Sequence, residues 1–186
     1  MNQLPIAAAA LFLTASSAFA ADAASLRKAP DLTFTIPGQG QKQLADYRGK
    51  VVALEFIFTT CPHCQAASKL MTKLQAEYGS RGLQVIDVAI NPNADLLVEN
   101  FAKDFQVNFP VAWTTSQQMQ SFMGFSNDRY VVPQLVLIDR KGVIHYQTPA
   151  LSGDDWLKLM SEQAIRQHIE ELLGSNASAS LRHPAR

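Results

Sequence analysis

The sequence predicts an α/β fold in which helices cover both faces of a central mixed sheet. Two apolar runs, at residues 51–58 and 83–90, have the near-continuous hydrophobicity of strands that are buried on both faces. Apolar residues at helical spacing follow each run, and this alternation is typical of a mostly parallel sheet. A tight turn at residues 140–142 joins two further apolar segments into a predicted hairpin, so the expected sheet is mixed.

The first half of the chain shows the signals of a hairpin and two helices. Apolar residues alternate at positions 32, 34 and 36 and the turn sequence "PGQG" follows, which predicts a β-hairpin at the start of the domain. The helix after the first apolar run is expected to end at Gly79 and Gly82. A second amphipathic helix is predicted from four apolar positions: Leu96, Leu97, Phe101 and Phe105.

The second half of the chain completes the predicted sheet. The sequence "FPVAW" predicts a short strand, and Met119, Phe122 and Met123 have the spacing of another helix. The predicted hairpin then spans residues 134–147. One long closing helix is predicted from six apolar positions: Trp156, Leu159, Met160, Ile165, Ile169 and Leu172.

The two ends of the chain differ in composition from the rest. An apolar stretch closes on Ala18-Phe19-Ala20, the A-x-A pattern of a signal-peptide cleavage site, although no Lys or Arg precedes it. We therefore expect export to the bacterial periplasm with cleavage after about Ala20. The expected organisation is a signal peptide (1–20), a linker (21–29), one domain (30–174) and a flexible tail (175–186).

Charge and length limit the classes of function. The chain has 16 Lys and Arg against 16 Asp and Glu, so its formal net charge is zero. Nothing in this balance attracts nucleic acid or an anionic membrane surface, and we expect no nucleic-acid partner. A chain of 186 residues is long enough to bury a full hydrophobic core in one domain.

The two cysteines of the chain lie three residues apart in the sequence "TTCPHC", between the first apolar run and its helix. A structural disulfide here would close almost no loop, and covalent haem would need a histidine where Gln65 stands. A zinc site needs about four ligands, and the sequence has no second Cys/His cluster to complete one. Redox chemistry remains, so Cys61 and Cys64 are predicted to form a redox-active disulfide without a metal or another cofactor.

The position of the pair predicts different roles for the two thiols. Cys61 falls near the N-cap of the helix, with Pro62 in the first turn, where the helix dipole favours a thiolate. His63 is a candidate to stabilise this thiolate further, so Cys61 is the predicted acidic nucleophile. Cys64, one turn into the helix, is the predicted resolving thiol that attacks a mixed disulfide at Cys61.

Two long segments around this motif resemble one branch of a known superfamily. The sequences "LADYRGKVVALEFIFTTCPHC" and "VVPQLVLIDRKGVI", in this element order, are similar to TlpA-like exported proteins of the thioredoxin superfamily. The likeness covers residues 30–174 and implies a thioredoxin-like fold with an N-terminal β-hairpin and a central helix–strand insertion at residues 93–113. It implies a thiol–disulfide oxidoreductase acting on protein thiols and disulfides. We further expect a monomer that a membrane redox partner recycles.

The resemblance also implies roles for residues outside the cysteine motif. Glu55 is the one charged residue of the first apolar run and lies six positions before Cys61, where thioredoxins have a buried acid that accepts the proton of the resolving thiol. Val132 and Pro133 are implied to form a cis peptide bond beside the cysteines, with Val132 pairing with an extended substrate. The residues alone leave alternatives open: Glu55 can face solvent or pair with a lysine, Pro133 can be trans, and His63 can be a solvent-facing turn residue.

Three features depart from the TlpA-like pattern. Thr60 stands where most relatives have tryptophan, Val132 stands where reducing relatives commonly have threonine, and Pro-His separates the cysteines. The last two features resemble DsbA-type oxidases, whose large helical insertion is not visible here. The direction of electron flow therefore stays open between disulfide formation or isomerisation and a reducing role, for example in cytochrome c maturation.

Two other functions have weaker support. Two thiolates with His63 suit Cu(I), but the chain lacks the wider cysteine spacing and the distant histidine of copper chaperones that share this fold. Peroxidase chemistry, by comparison with peroxiredoxins, would need a proline and a threonine where Leu54 and Phe58 stand.

Overall fold

The computed structural model describes residues 26–174 and contains an eight-stranded sheet with helices packed on both faces. The predicted signal peptide, most of the predicted linker and the predicted tail lie outside the described residues. No helix within the described range is long and apolar enough to cross a membrane.

Apart from the short first strand and the division of the closing helix, the elements follow the order that the sequence patterns predict. The strands are β1 (Arg27–Lys28), β2 (Thr33–Ile36), β3 (Gly40–Gln43), β4 (Val51–Ile57), β5 (Leu83–Ala89), β6 (Val111–Trp113), β7 (Gln134–Ile138) and β8 (Val143–Gln147). The α-helices are α1 (Pro62–Tyr78), α2 (Ala94–Asp104), α3 (Ser116–Met123), α4 (Asp154–Leu159) and α5 (Glu162–Gly174). Both predicted hairpins, β2–β3 and β7–β8, are confirmed.

The strands lie in the order β1-β8-β7-β4-β5-β6-β2-β3. Only the pairs β4–β5 and β5–β6 are parallel, and the other neighbouring pairs are antiparallel. The prediction of a mixed sheet is confirmed, whereas the prediction of a mostly parallel one is wrong. The two hairpins flank the parallel centre, and strands joined by short turns must pair antiparallel.

The strand before the cysteines is buried on both faces because helices cover both sides of the sheet centre. Every residue of β4 is buried. Val52, Leu54 and Phe56 pack in one cluster with residues of β2 and α3. Val51 and Ala53 pack on the opposite face with residues of α1 and α5. The period-two alternation of a strand therefore supplies apolar residues to two separate cores.

Helix α2 buries Phe101 as the sequence suggests, but the predicted core position Leu96 faces solvent. The buried positions are Ala94, Val98 and Phe101, whereas Leu96 is 72% exposed. Residues 94, 98 and 101 form one stripe at helical spacing. Leu96 is two residues from Ala94, about 200° around the helix, and so lies on the solvent side.

The predicted single closing helix is wrong, since α4 and α5 are separate helices. The helix is interrupted at Ser161, whose Oγ accepts a hydrogen bond from the Ala164 N–H at 3.2 Å. The Ser161 carbonyl accepts the first α5 bond from the Ile165 N–H at 3.0 Å. Ser161 therefore acts as the N-cap of α5, a signal that apolar spacing alone does not reveal.

Candidate active site

The two cysteines lie where β4 passes into α1. Cys61 is the N-cap of α1, with extended backbone angles (φ −85°, ψ 120°), and Pro62 is the first helical residue. The Cys61 carbonyl accepts a hydrogen bond from the Gln65 N–H at 3.0 Å, while the Cys61 N–H donates to the Phe58 carbonyl at 3.1 Å. The side chain of Cys61 is thus held at the positive end of a helix of 17 residues.

The two thiols differ sharply in their surroundings. Both are free, but Cys61 is half-buried and Cys64 is 0% exposed. Burial raises the pKa of Cys64, and the nearby Cys61 and Glu55 raise it further, while a hydrogen bond from the Phe58 N–H opposes the shift. That N–H lies 3.5 Å from Cys64 Sγ. Cys64 is therefore held as a neutral thiol and needs a base before it can attack a disulfide.

The loop before Cys61 is held by side chains from two other elements. The Thr59 N–H donates to Asn91 Oδ1 at 2.9 Å, and Asn91 follows the end of β5. Gln65 on α1 donates through Nε2 to the Thr59 carbonyl at 3.2 Å. These two contacts fix the approach of the chain to Cys61, and Asn91 is a site residue that the sequence patterns do not reveal.

The Val132–Pro133 segment lies against the exposed thiol. The peptide bond between the two residues is cis, as the resemblance implies. Cys61 Sγ is 3.9 Å from the Val132 carbonyl oxygen. Val132 and Trp113 are partly buried and belong to the same apolar cluster as Cys61. The half-buried sulfur thus has a backbone carbonyl on one side and an apolar surface around it.

Two carboxyl groups lie side by side below α1. Glu55 on β4 and Asp87 on β5 are register partners in the parallel pair, and both are 0% exposed. Burial raises the pKa of Glu55, and the adjacent Asp87 raises it further. Burial also raises the pKa of Asp87, against the opposing effect of the Ser68 hydroxyl, which donates to Asp87 Oδ2 at 2.6 Å. The alternatives in which Glu55 faces solvent or pairs with a lysine are therefore wrong.

His63 is not brought onto the thiol of Cys61. The side chains of His63 and Pro62 are exposed at the start of α1, and the His63 imidazole makes no hydrogen bond to any of the described residues. No group of three or more His, Cys, Asp or Glu side chains within residues 26–174 is arranged to hold a metal ion. An effect of His63 on Cys61 therefore stays a prediction.

The structure gathers most of the residues that the sequence singles out. Cys61, Cys64, Val132 and Pro133 lie together beyond the C-terminal end of β4, next to the start of β7, and Glu55 lies below Cys64. The sequence patterns miss Asp87, although a usable signal is present. Asp87 is the one charged residue in the second apolar run, as Glu55 is in the first. Only pairing of the two strands shows that these carboxyls are neighbours.

Comparison with known proteins places the chain in a family. The model of the AhpC/TSA family matches residues 26–147. The chain belongs to the AhpC/TSA family. This AhpC/TSA-family protein is 28% identical over 144 residues to thiol-disulfide oxidoreductase ResA of Geobacillus thermodenitrificans, covering 77% of this chain and 75% of the relative. It is 36% identical to ResA of Oceanobacillus iheyensis over a shorter stretch of 73 residues, 39% of this chain and 38% of the relative.

Solved structures support the same assignment of fold. A crystal structure assigned to thiol:disulfide interchange protein DsbE of Chlorobium tepidum has a TM-score of 0.64 and 28% identity, and covers 80% of this chain and 97% of that one. A thioredoxin-family thiol:disulfide interchange protein of Chlorobium tepidum TLS has a TM-score of 0.65 at 22% identity, covering 81% of this chain and 99% of that one, and shows the fold alone. With the Cys61–Cys64 pair, these similarities show that the AhpC/TSA-family protein is a thiol–disulfide oxidoreductase with a thioredoxin-like fold.

Proposed function

We propose that the protein exchanges disulfides with protein substrates through Cys61 as the nucleophile and Cys64 as the resolving thiol. The asymmetry of the pair carries the proposal: Cys61 is half-buried at the N-cap of α1, whereas Cys64 is 0% exposed. A substrate sulfur can approach only Cys61. The positive end of the α1 dipole lies at this thiol.

The proposed reaction has two steps. The Cys61 thiolate attacks a substrate disulfide, forms a mixed disulfide and expels one substrate thiolate. Cys64 then loses its proton and attacks Cys61 Sγ, which forms the Cys61–Cys64 disulfide and expels the second substrate thiolate. The substrate gains two electrons and the cysteine pair loses two. Run backwards, the same steps oxidise a substrate dithiol.

Glu55 is the proposed proton acceptor for Cys64. Its carboxyl group is 0% exposed and close enough to raise the pKa of Cys64. A base is needed because Cys64 is held as a thiol, and a buried carboxyl with a raised pKa is better matched to this task than an exposed one.

Val132 is the proposed docking point for the substrate backbone. Its carbonyl faces Cys61 Sγ at 3.9 Å, immediately before Pro133 and β7. An extended substrate segment that pairs with the Val132 backbone would place its own sulfur beside Cys61, a form of strand addition. Trp113, in the same apolar cluster, offers a contact for the adjacent substrate side chains.

The physiological setting is also part of the proposal. We place the protein in the periplasm, as a monomer that a membrane redox partner recycles. Pro62, His63 and Val132 favour the oxidising direction, and the resemblance of the scaffold to TlpA-like proteins favours the reducing one. The equilibrium with glutathione separates them, since a potential near that of thioredoxin, about −270 mV, would exclude the oxidising role.

Trapping of the mixed disulfide tests the roles of the two thiols. Cys64→Ser should accumulate a covalent adduct with a disulfide-linked peptide, because its Cys61 attacks but nothing resolves the product. Cys61→Ser should form no adduct and show no turnover. Mass spectrometry of the intact protein reads both outcomes, with the double serine variant as the control. An adduct on Cys61→Ser that equals the one on Cys64→Ser would contradict the proposal.

A further inference from the structure

The carboxyl pair below Cys64 is built into the sheet centre. Glu55 and Asp87 are directly opposed across β4 and β5, where neighbouring strands lie about 4.8 Å apart, so their side chains share one face of the sheet. Their outer register partners on that face are Leu135 on β7 and Val111 on β6, both apolar. The two carboxyls therefore have each other, and no other polar strand residue, at their level of the sheet.

Helix α1 covers this pair with two polar side chains. Cys64 and Ser68 are four residues apart, lie on the same helix face, and are both 0% exposed. Ser68 donates to Asp87 Oδ2 at 2.6 Å. Cys64 packs in a cluster with Ile57 and Ala89, which lie two residues beyond the carboxyls on β4 and β5. Cys64, Ser68 and the two carboxyls thus form one buried polar column under the helix.

The surroundings of Glu55 and Asp87 limit how much negative charge the two carboxyls can carry. No lysine, arginine or histidine among residues 26–174 makes an ion pair with either carboxyl. Apart from the contact between the two carboxyls themselves, both oxygens of Glu55 and Oδ1 of Asp87 have no hydrogen-bond partner among the described residues. Two adjacent carboxylates without a cation cannot both be charged in an apolar site, and one shared proton removes half of this charge.

We propose that Asp87 and Glu55 act as a single one-proton pair, in which Asp87 holds the negative charge with the help of Ser68 and thereby lets Glu55 take the proton of Cys64. Asp87 is then a positioning residue that acts through Glu55. The proposal rests on the proposed function, because it names the route of a proton that the resolving step must release.

The proton balance of the step follows from this arrangement. Before resolution the pair carries one proton, resident on Glu55, and one negative charge on Asp87. Cys64 gives its proton to the free oxygen of Glu55, and the proton already on Glu55 passes to Asp87. Cys64, now a thiolate, attacks Cys61 Sγ and expels the substrate thiolate, and the pair is left neutral with two protons. The reverse reaction returns one proton to Cys64 as the Cys61–Cys64 disulfide opens.

A lone buried acid would serve this purpose less well. Burial alone favours the neutral form of a carboxyl group, and a neutral Glu55 has no basic partner to receive the additional proton. Asp87 supplies that partner, and the Ser68 hydroxyl favours its charged form. The second carboxyl therefore keeps one basic site below Cys64 near neutral pH.

Carbon-13 NMR of the reduced protein tests the one-proton pair directly. With label in the side-chain carboxyls, the Glu55 and Asp87 signals should titrate with the same two midpoints and report one proton between them near pH 7. Ser68→Ala should move the lower midpoint upward by about one pH unit, because it removes a hydrogen bond to a charged group. Glu99→Gln, an exposed carboxyl on α2, is the matched control. Two ionised carboxyls at pH 7, or two independent midpoints, would overturn the proposal.

The kinetics of resolution test the function of the pair. Stopped-flow measurements follow the release of the second thiol from glutathione disulfide as a function of pH. In the wild type the rate should rise as the pH passes through the lower of the two NMR midpoints. In Ser68→Ala and Asp87→Asn this profile should move to more alkaline pH, whereas a merely structural role would scale the rate equally at every pH. An unmoved profile in both variants would overturn the relay. Adduct formation on Cys61→Ser would instead refute the proposed function and leave the carboxyl titration intact.

Discussion

Replacing both buried carboxyls by amides should change the way that stability depends on pH. The double variant Glu55→Gln, Asp87→Asn keeps the size of both side chains and removes their titration. In the unfolded chain these groups lose their protons near pH 3.9 and 4.3. In the folded protein the pKa of both is raised, because burial and mutual repulsion disfavour the charged forms.

The sign and size of the effect follow from proton linkage. Above about pH 4 the folded state binds more protons than the unfolded state, so the free energy of unfolding falls as pH rises. One extra proton corresponds to about 1.4 kcal/mol per pH unit. If the folded pair retains one proton up to neutral pH, the wild type should lose about 3 kcal/mol relative to the double variant between about pH 5 and pH 7.

Urea unfolding of both reduced proteins, followed by circular dichroism at several pH values, measures this difference. The amides introduce N–H groups that can lack partners, but that cost is the same at every pH. The decisive quantity is therefore the slope with pH of the stability difference between variant and wild type. The free energy of unfolding of the double variant should rise relative to that of the wild type by at least about 1.4 kcal/mol per pH unit from about pH 5 to 7, the value for one retained proton. A difference that is flat with pH, or that falls, would refute the assignment of raised pKa values.

Three further predictions test other parts of the structure. Asn91→Ala should lower the free energy of unfolding by about 1–3 kcal/mol and slow the reaction of Cys61 with a disulfide, because the Thr59 N–H loses its acceptor. Unchanged stability together with an unchanged rate of the Cys61 reaction would contradict this. Ser161→Ala should cost about 0.5–2 kcal/mol by removing the N-cap of α5, Ser161→Asp should restore it, and equal stability of the two in urea unfolding would show that the cap contributes nothing. Leu54→Ala should cost about 2–5 kcal/mol, whereas Leu96→Ala on the exposed side of α2 should cost almost nothing; similar midpoints of thermal unfolding would count against the packing described here.

Much of the fold could be predicted because its strongest signals are local. The continuous apolar run of β4 predicts burial on both faces, and the paired cysteines after it mark the redox centre. The predictions failed where a local pattern is compatible with more than one packing or helix boundary. Leu96 fits an amphipathic helix, but rotation of α2 buries Val98 and leaves Leu96 in solvent. Ser161 interrupts a pattern that otherwise reads as one helix, because a capping hydrogen bond outweighs the apolar spacing around it.

Local sequence patterns are enough to predict the succession of the main strands and helices, the position of the dithiol motif at a helix N-terminus, and the presence of one acid in the apolar run six residues before it. Tertiary structure alone decided that Asp87 lies beside that acid, that Val132 faces the exposed sulfur, and that Asn91 holds the loop before it. The physical reason is the distance along the chain. Propensity and periodicity act over a few residues, whereas these contacts join residues 32 to 71 positions apart and exist only once the strands have paired.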